Sequence, residues 1–306
     1  MRITHHYQAR VFSANNQASM ARIAELQEQI SSAKRVLDPA DDPKSASKSV
    51  LLQQSLGQVE QYHRNNTYVE SRLGMEESAM AAISNVITAV RELALQANND
   101  AMGDADRQAL LHGITSRVDE LRALANSKGP NGEYLFSGTE RLVRPYPDPL
   151  TNQYDGNDSI QMVNIGFDNQ IALGTSGNQL LNYEINGGTK DVFSTISDLQ
   201  IALGTPVTVA GRAVFHDQMA VVLEELDAAQ NQVLTQRASV GDRLARVETA
   251  RDNNSAVELL IKEELNTNEG LDFADAISRM EAEIQTLEAI QSTYSRFKDL
   301  SLFKYL

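Results

Sequence analysis

Residues 69–97 read VESRLGMEESAMAAISNVITAVRELALQA, and their pattern decides the fold class. Apolar side chains recur at alternating intervals of three and four residues, which is the heptad spacing of a helix that packs along another helix. The register extends back to Leu52, so we predict one helix over residues 43–99. At about 1.5 Å per residue, this helix is roughly 85 Å long and needs an equally long helical partner.

Three positions of this stripe are polar: Ser55, Asn66 and Glu76. A polar side chain in a coiled-coil core can fix the register of the packed helices. We favour the simpler interpretation, that the partner helix ends or that water enters at these positions. A second long helix over residues 214–263 repeats the heptad spacing.

Both ends of the chain carry narrow apolar stripes with the same spacing, within predicted helices over residues 1–37 and 272–298. Their members are Phe12, Ile23, Leu26, Ile30, Ala33 and Leu37 near the start, and Phe273, Ile277, Met280, Ile284, Leu287 and Tyr294 near the end. A seam this narrow is buried only against another helix. We therefore predict that the terminal helices pack on each other or on neighbouring copies of the chain.

The middle of the chain has a different pattern. Short β-favouring runs at residues 160–165, 170–173 and 180–185 alternate with Gly- and Asn-rich turns such as Asn186-Gly187-Gly188. This alternation predicts β-hairpins. The predicted fold class is therefore mainly α with a β-rich insert (α+β): a long antiparallel coiled-coil helical bundle from both termini, with a small outer β domain in the middle.

The pattern also predicts a division into domains. They are a terminal coiled-coil assembly domain (1–42 and 266–306), a helical-bundle core domain (43–144 and 206–265) and a β-rich outer domain (145–205). The first boundary follows from Pro39 and Pro43, because a proline disfavours helix for the residue before it. Asp42 then caps the next helix with Pro43 in its first position, and Gly270 stops the penultimate helix.

Composition argues against several classes of function. The 306 residues include no Cys, which removes disulfides, thiolate metal sites and cysteine nucleophiles. A net charge of −14 argues against broad binding to nucleic acid or to anionic membranes, and no run of 18 apolar residues predicts a membrane span. The five His form no metal-ligand pattern, and the common catalytic motifs are missing from the sequence. We expect no enzyme activity, no cofactor, no metal, and no nucleic-acid or membrane partner.

Several segments carry a family resemblance. Residues 26–36, LQEQISSAKRV, followed by Asp41-Asp42-Pro43, resemble the N-terminal signature of the bacterial flagellin superfamily. Residues 131–139, NGEYLFSGT, are similar to the segment after the third helix in its hook-associated branch, and residues 154–157 and the closing LSLFKYL of 300–306 also fit. Ala33 departs from the superfamily, in which glycine is common at this position. Because alanine favours helices, we expect this change to strengthen the first helix.

The resemblance implies a structural subunit of the bacterial flagellum that forms the junction ring between hook and filament and templates filament growth. Flagellin, the filament subunit, is the alternative, and a separately secreted coiled-coil effector or adhesin and an enzyme are also left open. The implied partners are copies of the chain in a ring, the first hook-associated protein, flagellin, and a cytoplasmic export chaperone at the C-terminal helix. The implied location is extracellular, in the flagellum, reached unfolded through the flagellar type III export channel.

We assign the assembly interface to the terminal stripes. Its predicted members are Phe12, Ile23, Leu26, Ile30, Leu37, Ile277, Met280, Ile284, Leu287, Tyr294, Leu302 and Phe303. Since these apolar side chains are buried only in the assembly, we expect terminal disorder in the free chain and order in the ring.

Overall fold

The computed structural model describes residues 2–208 and 211–299. Their elements, in chain order, are α1 (Arg2–Ser32), α2 (Pro43–Ala97), α3 (Asp104–Ala125), β1 (Gln161–Gly166), β2 (Asn169–Leu173), α4 (Gly177–Leu181), β3 (Asn182–Ile185), β4 (Gly188–Asp191), α5 (Val192–Gly204), α6 (Arg212–Glu269) and α7 (Phe273–Asp299). The predicted fold class, mainly α with a β-rich insert, is confirmed.

The chain groups into two compact units. The terminal unit comprises the chain up to Val59 and from Ala256 onward, and the central unit comprises Glu60–Ser255. The division into three domains at residues 42, 145, 205 and 266 stays a prediction.

The core of the central unit is built around α2. Its buried stripe is the predicted one: Val69, Leu73, Met80, Ile83, Ile87, Val90, Ala94 and Ala97. The predicted stripe of α6 is also buried, at Met219, Val222, Leu226, Ala229, Val233, Val240 and Val247. Both stripes belong to one hydrophobic cluster, which α3 joins through Ile114, Val118, Leu121 and Ala125. The heptad pattern therefore located this core correctly.

Two polar positions of the α2 stripe behave differently from the favoured interpretation. Asn66 and Glu76 have no exposed surface. The partner helix does not end at these positions, because α6 pairs with α2 beside them through the ion pairs Arg237–Glu77 and Arg251–Glu70. The expectation of an ending partner is therefore wrong for both residues, and the expected entry of water stays a prediction.

By length and composition, α2 is also apolar enough to cross a membrane. This is weak evidence, because the core helix of a folded domain passes the same test. The buried stripe shows that α2 has the packing of a core helix.

The β-rich insert consists of two antiparallel hairpins, β1–β2 and β3–β4. The second hairpin turns through Asn186 and Gly187, whose φ angles of 51° and 77° are those of a two-residue type I′ turn. The first two predicted strands are confirmed. The third begins later than predicted, because Ser176 caps α4 by accepting a hydrogen bond from the Gln179 N–H at 3.2 Å, so residues 180–181 are helical.

Two of the segments that carry the family resemblance meet in the central unit. The Asn157 N–H donates to the Ser137 carbonyl at 3.2 Å, and the Thr139 N–H donates to Asn157 Oδ1 at 3.0 Å. Gly138 lies between them with φ at 69°, and a Cβ on it would sit 2.0 Å from the Asn157 carbonyl oxygen. Only glycine fits this close approach, which links residues 137–139 to residue 157.

Candidate assembly interface

The candidate site is the face between α1 and α7 in the terminal unit. The rings of Phe12 and Tyr294 stack with their centroids 3.9 Å apart, and Arg22 Nε lies 2.8 Å from Glu283 Oε1. From Phe12 to Arg22 the contacts advance along α1, whereas from Tyr294 to Glu283 they move back along α7. The two helices are therefore antiparallel. Of the two predicted modes of burial, packing of the terminal helices on each other is observed. The expectation that these side chains are buried only in the assembly, with disordered ends in the free chain, is therefore wrong for the α1–α7 contact.

The seam on α1 follows the predicted register. Buried or half-buried positions recur at Phe12, Asn16, Ser19, Ile23, Leu26 and Ile30. Nearly all residues between them are exposed, as expected for the narrow stripe of a two-helix contact. Four of the predicted interface residues, Phe12, Ile23, Leu26 and Ile30, therefore face α7 within one chain.

The seam on α7 is rotated from the predicted one. Its buried and half-buried positions are Ala276, Met280, Glu283, Leu287 and Ile290. Met280 and Leu287 belong to the predicted stripe, and so does Tyr294, which stacks on Phe12 although it is 37% exposed. By contrast, Phe273, Ile277 and Ile284 remain 47%, 41% and 37% exposed. We call these three residues the outer row. The signal for the missed positions was in the sequence, since Ala276 and Ile290 are apolar and lie four residues before Met280 and three after Leu287.

A polar layer interrupts the apolar seam. Ser19 is fully buried and accepts a hydrogen bond from the Arg22 guanidinium at 3.2 Å, while Arg22 also pairs with Glu283. Among the described residues, Asn16 Oδ1 and Glu283 Oε2 are buried without a hydrogen-bond partner. Polar groups in such a seam disfavour shifted alignments of the helices, at a cost in stability.

The segment after α1 pairs with the junction between α6 and α7. The Arg35 N–H donates to the Glu269 carbonyl at 2.8 Å, and the Leu271 N–H donates to the Ala33 carbonyl at 3.2 Å. Gly270 ends α6 as predicted, although the helix runs past residue 263 to Glu269. These bonds fasten the two connections of the terminal unit to each other.

Two predictions about this segment are wrong. Helix α1 ends at Ser32, so Leu37 lies half-buried in the connection and is not part of the α1 stripe. Ala33 has a φ of 57°, a left-handed conformation in which a Cβ is unfavourable. Alanine therefore does not strengthen the helix here, and glycine would relieve the strain.

Arg35 and Asp42 join the connection to the start of α2. The Arg35 guanidinium donates to Asp42 Oδ2 at 3.0 Å and to the Asn268 carbonyl at 3.3 Å. Asp42 Oδ1 accepts from the Ser45 N–H at 3.1 Å, which confirms the predicted cap of α2. Hydrogen bonds from Ser45, with Arg35 adding to them, lower the pKa of Asp42 to about 2.

An apolar groove of about 520 Å³ opens on one flank of the α1–α7 pair. Tyr7 and Val11 line it from α1, and Ile290 and Tyr294 line it from α7. The described residues contain no group of three or more His, Asp or Glu placed to hold a metal ion. The apolar side chains that line the groove make packing the chemistry of this site. The predicted interface residues Leu302 and Phe303 lie outside the described residues.

Comparison with known proteins places the chain in a family. The model of the bacterial flagellin N-terminal helical region matches residues 3–141, and that of the C-terminal helical region matches residues 223–306. Flagellar hook-associated protein 3 of Salmonella typhimurium is 29% identical over 299 residues, which are 94% of this chain and 93% of that protein. The protein of the same name in Escherichia coli is 28% identical over 306 residues, 95% and 94% of the two chains.

A solved structure has the same fold. The crystal structure of FlgL from Xanthomonas campestris superimposes with a TM-score of 0.64 at 21% identity, and the match covers 70% of this chain and 99% of that one. The two family models match the helical regions at both ends of the chain. The chain belongs to the bacterial flagellin superfamily.

Proposed function

We propose that the protein is a structural subunit of the bacterial flagellum that forms the ring joining hook to filament and templates filament growth. The outer row of α7 carries this proposal, because Phe273, Ile277 and Ile284 remain exposed although α1 and α7 pack on each other. The full-length relatives named hook-associated protein 3 support the position at the junction.

The physical basis is that two helices cannot bury more than one seam each. Tyr7, Val11 and Met20 on α1 are exposed in the same way as the outer row of α7. Apolar surface removed from water contributes about 25 cal/mol per Å². Packing against the terminal helices of neighbouring copies buries the outer row of α7 and these exposed side chains of α1. The ring is therefore more stable than a single terminal unit, which leaves this apolar surface in water.

The remaining partners belong to the same proposal. The first hook-associated protein lies on the hook side of the ring, flagellin lies on the filament side, and a cytoplasmic chaperone covers the C-terminal helix before export. The chain then reaches the outside unfolded through the flagellar type III channel, and the absence of Cys fits passage between reducing and oxidising compartments. The role is structural and needs no catalytic group.

Flagellin is the alternative function within the superfamily. A filament subunit polymerises onto short filament seeds, whereas a junction subunit does not. We expect the purified chain to leave such seeds unextended in electron micrographs. Long filaments of this chain would establish the alternative and refute the junction role.

A deletion strain provides the main test. Without the gene, we expect electron micrographs of intact hooks that lack filaments, with flagellin in the medium, and the wild-type gene should restore filaments. Ile284→Asp should fail to restore them, because it places a charge in the outer row. The control Gln285→Asp adds the same charge at an exposed neighbour outside the outer row and should restore them. Normal filaments with Ile284→Asp would exclude the outer row from the interface.

A further inference from the structure

The core of the central unit contains a carboxyl group with no hydrogen-bond partner. Glu76 occupies the α2 stripe between Leu73 and Met80, and all three side chains have no exposed surface. Among the described residues, neither Oε1 nor Oε2 of Glu76 has a hydrogen-bond partner. A carboxylate needs such bonds when it leaves water, so the ionised form is poorly accommodated here.

The nearest cation on the same helix forms a loose ion pair with Glu76. Arg72 Nε lies 3.8 Å from Glu76 Oε1, beyond hydrogen-bond distance, and among the described residues this Nε also has no hydrogen-bond partner. The hydrogen bonds of the guanidinium go elsewhere, because its Nη2 donates to the Tyr134 and Leu135 carbonyls, both at 3.2 Å. The Glu133 carboxylate lies 3.5 Å from Arg72 Nη1 and also 3.2 Å from the Arg141 guanidinium, so it offsets part of the positive charge near Glu76.

The cation from the opposite helix is also committed. Arg243 on α6 donates to the Gly174 carbonyl at 2.6 Å and to Thr175 Oγ1 at 2.8 Å. The loop that carries these acceptors closes over the carboxyl group, since a Cβ on Gly174 would sit 3.0 Å from Glu76 Oε1. The two arginines therefore act on Glu76 through their charge and not through hydrogen bonds. The loop at Gly174 and Thr175 shields the Glu76 carboxyl group from solvent and brings no titratable side chain next to it.

Burial outweighs the two positive charges. It raises the pKa of Glu76 from its ordinary value of 4.5 to about 8, while Arg72 and Arg243 act in the opposite direction. The geometry points in the same direction, because a buried position without hydrogen-bond partners penalises the carboxylate more than the neutral acid.

We propose that Glu76 is a proton-binding site, with a carboxyl group that is neutral in the folded central unit at neutral pH and ionises when the surrounding core opens. Folding then takes up one proton from water between about pH 4.5 and pH 8, and unfolding releases it. The folded state binds more protons than the unfolded state in this window, so stability from this group falls as pH rises through it. This inference goes beyond the proposed function; combined with export of an unfolded chain, it makes refolding outside the cell a proton-consuming step.

Carboxyl NMR on the full chain tests the protonation state directly. With ¹³C-labelled glutamate, one carboxyl resonance should change with a midpoint near pH 8, and Glu76→Gln should remove that resonance. If every glutamate carboxyl of the wild-type chain is already ionised above pH 6, the proposal is wrong. This outcome is decisive even if the variant does not fold.

Urea unfolding tests the linkage to stability. The near-ultraviolet circular dichroism of the buried Tyr146 and Tyr183 reports on the central unit. From pH 5.5 to pH 7.5, one extra bound proton makes the unfolding constant rise almost tenfold per pH unit, and Glu76→Gln should abolish this component. Glu77→Gln is the matched control, because its partly exposed carboxylate pairs with Arg237 at 2.6 Å and it should keep the wild-type slope. Equal slopes in the wild type and Glu76→Gln would overturn the proposal without bearing on the flagellar role.

Discussion

Replacing Ala33 with glycine should stabilise the terminal unit. The φ of 57° places the backbone of Ala33 in the left-handed region. This conformation costs an L-residue about 1–2 kcal/mol relative to the right-handed one, because its Cβ comes too close to the following carbonyl oxygen. Glycine avoids this strain but loses about 0.4–1 kcal/mol through the greater freedom of the unfolded chain. The expected net gain is roughly 0.5–1 kcal/mol, which corresponds to a local opening constant about two to five times smaller.

Hydrogen exchange at two backbone amides measures this gain. The Arg35 N–H and the Leu271 N–H are held by the Glu269 and Ala33 carbonyls across the connection that Ala33 shapes. In Ala33→Gly, both amides should exchange about two- to fivefold more slowly than in the wild type.

The control is the same substitution inside the helix. Ala24 is exposed in the middle of α1, where glycine should cost about 0.8–1 kcal/mol and speed exchange across the terminal unit. If Ala33→Gly also speeds exchange, the left-handed strain does not exist, and the expectation from helix propensity alone is correct.

Three other substitutions test separate contacts. Leu287→Asp places a charge in the α1–α7 seam and should loosen this pair in the isolated protein. The helical circular dichroism should fall while the near-ultraviolet signal of the central unit is kept, and unchanged helicity would contradict the seam assignment. Hydrogen bonds from Ser45 and Arg35 hold the pKa of Asp42 near 2, so the cap is fully favourable above about pH 4 and weakens as pH falls toward 2. The protection of the amides at the start of α2, measured relative to the intrinsic exchange rate at each pH, should therefore fall over that range, and Asp42→Asn should remove this dependence. Gly138→Ala should lower the free energy of unfolding by at least about 1–2 kcal/mol, and with it the melting temperature, because Gly138 has a positive φ and a Cβ there would collide with the Asn157 carbonyl. The control Gly74→Ala lies in α2 with open space around it and should raise the melting temperature slightly. Equal effects of the two substitutions would refute the close approach at Gly138.

Much of the candidate interface was predictable. The α1 seam at Phe12, Ile23, Leu26 and Ile30 follows directly from a heptad pattern, because each position depends only on its distance along one helix. The rotation of the α7 seam was not predictable in this way. The apolar face of α7 is wider than one seam, so more than one alignment is compatible with its sequence, and packing against α1 selects Ala276 and Ile290 over Ile277 and Ile284.

The sequence by itself determined the features that depend on neighbouring residues: the buried stripes of α2 and α6, the cap at Asp42 and the stop at Gly270. Only the tertiary structure decided the left-handed conformation of Ala33, the enclosure of Glu76 and the contact of Gly138 with Asn157. Each of these depends on chain segments that are distant in sequence, such as residues 269–271 beside Ala33 and the loop at Gly174 over Glu76. Periodicity and capping express local backbone geometry, whereas enclosure and close approach arise only when the folded chain brings distant segments together.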